Sequence, residues 1–235
     1  MHHQHFNTIP STQIYLKDNL EALKMNDDDI LISCSEQTNG VGRRENSWEN
    51  YSNSIAMSFT LKPNQIASLT PIEIGIAAII FLKNKFNKDL FLKWPNDLLN
   101  VDGKKCGGIL CQYIDNSTVI VGLGINLGKL DIVDNISYRH GLGNVDQDLE
   151  LQDLDRKIIS HELYNHFLAN RFNDLQTITN LFNKYCFHIN KQVCIFEDGK
   201  EQIGIFKGIG NNGEALVEID STIHSFLSSS LTIIN

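Results

Sequence analysis

The sequence predicts an α+β fold: a mixed, mostly antiparallel sheet packed with helices, followed by a small β module. Three observations carry this. Short apolar runs at 29–35, 55–61, 91–94, 97–101, 107–114 and 117–126 have the length and composition of strands. Longer segments at 11–25, 70–88, 153–170 and 171–187 repeat apolar residues at helical spacing. After Asn190 the pattern changes to period two.

Taken in order, Ser11 and Thr12 follow Pro10 and cap a helix to about Met25, with Leu16, Leu20 and Leu23 on one face. Asp29–Ser35 reads as a short buried strand. Residues 36–54 form a polar, glycine-bearing, nearly structureless loop, and a loop of that length is more often functional than accidental. Strand returns at Ile55–Leu61. Thr70-Pro71-Ile72-Glu73 fits a capping box with proline at the first helical position. Its helix runs to about Lys88 and packs through Ile72, Ile76, Ile79 and Ile80, with Lys83 at the margin.

Strands Phe91–Trp94 and Asp97–Val101, the Asp102-Gly103 turn, and strands Gly107–Ile114 and Ser117–Asn126 make a meander. Residues 127–148 are loop-rich. The next helix presents Leu154, Ile158, His161, Leu163 and Phe167. Beyond it, short strands punctuated by Asp198-Gly199 and Asn212-Gly213 read as a barrel-like module. The expected domains are therefore 1–188 and 189–235.

A chain of 235 residues buries a full core. No run approaches the ~18 apolar residues of a membrane span, and Met1-His2-His3-Gln4-His5 has no apolar signal core, so a cytoplasmic protein is expected. A net charge of −8 argues against DNA binding. Cys34, Cys106, Cys111, Cys186 and Cys194 show no Cys-x-x-Cys pair, as expected of reduced thiols. His2, His3 and His5 read as a frayed terminus in preference to a metal site.

Four clusters carry candidate chemistry. In Gln37-Thr38-Asn39-Gly40-Val41-Gly42-Arg43-Arg44, with Trp48 beyond, the glycines let backbone approach a ligand while the arginines supply forked donors for phosphate; a solvated surface loop is the bland alternative. In Lys93-Trp94-Pro95-Asn96-Asp97, a lysine beside tryptophan needs a partner, and Asp97 suits either a metal or a lysine. Lys104-Lys105 leads into Gly107-Gly108, where a ligand can reach the backbone. Asn126 closes Gly122-x-Gly124-Ile125 at a strand end.

In order and spacing, Gln37-x-x-Gly40-x-Gly42-Arg43-Arg44 with Trp48, the Lys93–Asp97 block, Lys105-x-x-Gly108-Ile109 and Gly124-Ile125-Asn126 resemble biotin–protein ligases. Ser11-Thr12 resembles that family's Ser-Thr-Asn motif, with Gln13 replacing the Asn. The resemblance implies a class II synthetase-like catalytic domain and a C-terminal SH3-like barrel. It implies formation of biotinyl-5′-AMP from biotin and ATP with Mg²⁺, then transfer to a lysine of a biotin carboxyl carrier protein.

By that resemblance, Lys105 and Arg43 are catalytic. Ser11, Thr12, Gln37, Gly40, Val41, Lys105, Gly107 and Gly108 bind biotin. Arg43, Arg44, Trp48, Lys93, Asn96, Asp97 and Asn126 bind the nucleotide, with Asp97 also offered to the metal. Val41 stands where the family carries an arginine. No helix-turn-helix precedes residue 7, which matches the monofunctional type. A free sheet edge is expected to pair with the carrier or with a second copy of the chain. The rival readings are a lipoate ligase or octanoyltransferase, and a non-catalytic biotin-binding regulatory module.

Overall fold

A computed structural model describes every residue except 50, 132–140, 173, 198, 228 and 235. Expectations for Asp198, for much of the 127–148 loop and for Asn235 fall outside the described residues. The elements in chain order are β1 (His2–Ile9), α1 (Thr12–Lys24), β2 (Ile30–Gln37), β3 (Gly40–Val41), β4 (Ser47–Trp48), β5 (Ser54–Leu61), α2 (Thr70–Phe86), β6 (Phe91–Lys93), β7 (Asp97–Leu99), β8 (Lys105–Tyr113), β9 (Val119–Asn126), α3 (Asp153–Ala169) and α4 (Leu175–Tyr185). The C-terminal strands are β10 (Gln192–Glu197), β11 (Lys200–Ile209), β12 (Ala215–Ile219), β13 (Thr222–Phe226) and β14 (Ser230–Ile233).

The main sheet has the order β1-β2-β5-β9-β8-β7-β6. Only β1 and β2 run parallel; the other pairs are antiparallel, and β6 to β9 form the expected meander. Every residue of β5 is buried. α2 supplies the core through Ile72, Ile76, Ile79 and Leu82. The C-terminal sheet, order β13-β12-β11-β10-β14, is open, with β13 and β14 at opposite edges. Its Val193, Ile195, Phe206 and Val217 join the same buried cluster.

Several expectations change. The loop 36–54 is not structureless: β3 pairs with β4 around a 3₁₀ turn at Arg43–Glu45. Thr70-x-x-Glu73 forms no capping box, because other partners, one in the preceding turn and one far along the chain, outcompete the cap. Thr70 Oγ1 accepts from the Asn64 amide, and Glu73 takes the Arg171 guanidinium at 2.6 and 3.0 Å. α2 stops at Phe86 because Asn87 turns left-handed, φ 55°. With the preceding 3₁₀ turn, residues 67–86 are long and apolar enough for a membrane span by composition, but α2 packs against β8, α3 and α4 as a core helix. In α3, Leu154 and Ile158 are exposed; Ile159, Leu163, Tyr164 and Phe167 face inward.

The N-terminus is not frayed. β1 pairs with β2 over its length, and Ser33 Oγ lies 2.8 Å from both His3 Nε2 and His5 Nδ1. His3 also stacks on His161, ring centroids 5.6 Å apart. Among the described residues no three His, Cys, Asp or Glu side chains group as a metal site. Burial, followed by the neighbouring His161, His5 and Lys157, pushes His3 down to about 4 from 6.5. Burial and Lys157 also lower His5. The unfolded chain therefore binds more protons than the folded one between pH 6.5 and 4, so stability falls as pH drops through that window. His3→Gln, which keeps a partner for Ser33, is expected to flatten the decline in urea midpoint across those pH values. An unchanged slope would clear the histidine cluster of any part in it.

Candidate active site

A cleft of about 250 Å³ opens on the sheet and collects residues from α1, β2, the 41–48 segment, β5, the β6–β7 turn, β8, β9 and the start of β14. One end is polar and uncharged. Thr12 Oγ1 lies 3.1 Å from Gln37 Oε1 and 2.9 Å from Ser58 Oγ, and Ser58 Oγ lies 3.0 Å from Gln13 Oε1. Both amides are oriented by backbone: the Thr12 N–H donates to Gln37 Oε1, and Gln13 Nε2 donates to the Ile120 carbonyl. Ser11 caps α1, accepting from the Ile14 N–H. That cap sets the helix start, and with it Thr12 and Gln13, over the sheet.

Two hydroxyls supply two protons, yet three contacts join Thr12, Ser58, Gln13 and Gln37. One contact has no hydrogen. That contact is open to a ligand that brings an N–H group.

The other end is cationic. Arg43, Arg44, Lys93 and Lys105 line the cleft, and Asp97 is the carboxylate among its described lining residues. Asp97 bridges the lysines, Oδ1 2.7 Å from Lys105 Nζ and Oδ2 3.3 Å from Lys93 Nζ. Burial pushes the Asp97 carboxyl up, but Lys93 and Lys105 together outweigh it, and its pKa lies below the ordinary value. Burial lowers Lys93, with Asp97 opposing, and burial and Arg44 lower Arg43. Arg43 Nη1 donates to Asn96 Oδ1 at 2.8 Å, and Asn96 Nδ2 donates to the Ile109 carbonyl at 2.6 Å. The turn that carries Asn96 and Asp97 is thereby tied to β8 and to the arginine loop.

Between the two ends lies Trp48. Its indole rests on Gly124 so closely that any Cβ there would overlap it, and Lys105 Nζ is 5.9 Å from its ring. A Cβ at Gly108 would meet Trp48 and Lys105 at an ordinary 3.5 Å, while Gly122 faces Gln13 Oε1, which a Cβ would approach to 2.7 Å. Trp48 Nε1 is buried without a hydrogen-bond partner.

The structure thus brings together Ser11, Thr12, Gln37, Val41, Arg43, Arg44, Trp48, Lys93, Asn96, Asp97, Lys105 and Gly108. It does not bring Gly40, Gly107 or Asn126 to the cleft wall. Gly40 pairs with Trp48 across β3–β4, and Gly107 packs on Leu98 and Gly124. Asn126 is buried beneath, accepting from Ser54 Oγ and donating to the Gly143 carbonyl. Arg44, φ 53°, stands beside Val41 in the lining, whereas Lys104 packs against Gly141 and Gly143. Both Asp97 oxygens are held by ammonium groups, so the residues present do not fit a resident Mg²⁺.

Sequence reasoning missed Ser58, Arg156 and Ser229. Ser58 left a trace, as a serine within an otherwise apolar strand. Arg156, on α3, is buried; its Nε donates to the Ser54 carbonyl and its Nη2 to that of Ser52, clamping the end of the arginine loop. A lone arginine a hundred residues away carried no signal of that role.

Comparison with known proteins agrees with this geometry. A model described as "Biotin/lipoate A/B protein ligase family" matches residues 5–126. The bifunctional ligase/repressor BirA of Escherichia coli K12 is 25% identical over 96% of this chain and 72% of its own length. Biotin–protein ligase 1, chloroplastic, of Arabidopsis thaliana is 35% identical over 39% of this chain and 28% of its own. Among solved structures, the biotin protein ligase of Aquifex aeolicus in complex with biotin and ATP superposes with a TM-score of 0.73 at 21% identity, covering 99% of both chains. The match of the family model across more than half of the sequence, on the sheet and loops that build the cleft, shows that the chain belongs to the biotin/lipoate A/B protein ligase family.

Proposed function

We propose that the protein is an ATP-dependent biotin–protein ligase. The observation that carries the reading is the union, in one cleft, of a donor-poor polar cluster with a four-cation end. A cyclic urea brings two N–H donors and one acceptor, which completes the Thr12–Ser58–Gln13–Gln37 network. A lipoyl or octanoyl chain brings no donor and leaves buried polar groups unpaired, at about 1–3 kcal/mol each. That difference favours biotin over the rival substrates of the same family.

In the first step the biotin carboxylate attacks the α-phosphorus of ATP; an acyl C–O–P linkage forms, and pyrophosphate leaves with the electrons of the broken Pα–O bond. Lys105 and Arg43 neutralise charge on the reacting oxygens. Asp97 and Asn96 position those two cations. In the second step a carrier lysine amine attacks the acyl carbon, the C–N bond forms and AMP departs. We assign the carrier to the biotin carboxyl carrier domain of a biotin-dependent carboxylase. Mg²⁺ is assigned to the phosphates of incoming ATP, with no protein-held site among the described residues. The domain boundary is placed at 188/189, the C-terminal sheet being an SH3-like module.

Biotin-dependent exchange of pyrophosphate into ATP tests the reading, with lipoate and octanoate as competitors. Exchange with biotin alone is expected; none with any acid would reject catalysis, and preference for lipoate would reject the substrate. Ser58→Ala is expected to weaken biotin binding about tenfold, as loss of one buried hydrogen bond should, without touching the affinity for ATP.

A further inference from the structure

Arg156, on α3, is 7% exposed and is not among the residues that line the cleft. Its guanidinium meets three oxygens. Nε donates to the Ser54 carbonyl at 3.3 Å, Nη2 to the Ser52 carbonyl, and Nη1 to Asp153 Oδ1 at 3.2 Å. The Asp153 side chain is 62% exposed, so the buried side of the guanidinium is committed to main-chain carbonyls. A planar fork that holds carbonyls two residues apart fixes the direction of the chain between them.

Those carbonyls stand where the segment that carries Arg43, Arg44 and Trp48 enters β5. Ser54 pairs with Asn126 across β5 and β9, and its hydroxyl shares one proton between the Tyr51 carbonyl at 2.8 Å and Asn126 Oδ1 at 3.3 Å. Asn126 Nδ2 donates to the Gly143 carbonyl at 3.2 Å. The Gly143 N–H donates to the Lys105 carbonyl at 2.8 Å, and the Lys105 N–H donates to the Gly141 carbonyl at 3.2 Å. Residues 141–143 thus grip Lys105 by its backbone on both sides while its side chain reaches Asp97. Arg156 connects by one route to Arg43 and by the other to Lys105. The neutral end has separate anchors: Thr12 on Gln37, and Gln13 on the Ile120 carbonyl and Ser58.

We propose that Arg156 is a positioning residue for adenylate formation: its hold on the Ser52 and Ser54 carbonyls sets Arg43 and Lys105 against the reacting phosphate and acyl oxygens. This rests on the ligase reading above. A lysine in its place keeps the charge but loses the fork, and so does not fix two carbonyls at once. Displacing a reacting group by about 1 Å costs up to ~100-fold in rate.

The test is single-turnover formation of biotinyl-5′-AMP at saturating biotin and ATP with Arg156→Lys and Arg156→Ala, beside equilibrium binding of biotin and thermal melting. Arg156→Lys is expected to slow adenylate formation about tenfold, with biotin affinity and thermal midpoint close to wild type. Arg156→Ala is expected to be slower still and to recover part of its rate in millimolar ethylguanidinium, which leaves the wild type unchanged. A lysine variant at the wild-type rate would overturn the proposal, as would a rate loss matched by lost biotin affinity and a lowered midpoint, the mark of a purely structural role. A folded alanine variant indifferent to ethylguanidinium would do the same; if that variant does not fold, Arg156→Lys decides. Wild-type protein that forms no adenylate would bring down the ligase reading and this proposal together, whereas an active wild type with an indifferent Arg156→Lys removes this proposal alone.

Discussion

Lys105→Ala is expected to lower the single-turnover rate of adenylate formation by ~10²–10³-fold, the usual cost of removing one donor from developing charge. The side chain is one-third exposed, so its loss leaves no cavity in the core. Asp97 keeps Lys93 as a partner, and the turn that carries it stays anchored through Asn96. Folding should therefore survive while chemistry does not, and a matched thermal midpoint separates the two. Biotin affinity should fall less than the rate does, because the neutral Thr12–Ser58 end still holds the ring while the carboxylate loses one cation. A variant that labels a carrier domain at the wild-type rate would show that Lys105 takes no part. The same experiment bears on the binding-module reading, since a module without turnover has no rate to lose.

Arg171→Ala is expected to destabilise the fold by ~3–5 kcal/mol, the range for breaking a buried ion pair from one side. Glu73 on α2 is 1% exposed, and the arginine meets it with two nitrogens. Without the guanidinium, the carboxylate keeps the Phe172 amide and Asn64 Nδ2 as its donors among the described residues. Glu73→Gln should cost less, because Arg171 is partly exposed and regains water. Urea unfolding of the two variants measures this; equal, small shifts would mean that the pair is energetically idle. Lys62 and Asn64 are tied to the same arginine and to Phe172, so the loss also loosens the turn entering α2.

Much of the site was legible because its residues occur as compact local blocks. Lys93–Asp97 spans one tight turn, and Lys105–Gly108 opens one strand, so spacing along the chain nearly equals arrangement in space. Strand and helix periodicity likewise reports burial on one face. The failures share a different cause. The Thr70–Glu73 pattern favours a cap locally, but Arg171, about a hundred positions on, offers the carboxylate a stronger, charged partner. β1 looked frayed because its histidines are polar by type; pairing with β2 and Ser33 makes them structural. Asn126 sits in the expected motif, yet its amide is spent on Ser54 and Gly143.

By itself the sequence determined the α+β class, the meander, the capped first helix and the identity of the cations, since each depends on composition and short-range spacing. Only the tertiary structure decided that Asp97 holds two lysines, that Ser58 joins Thr12 and Gln13 in a proton-short cluster, and that Ser229 reaches the cleft. Those facts depend on which strands become neighbours. Hydrogen-bond count and burial are properties of the assembled neighbours, and a residue's type does not carry them.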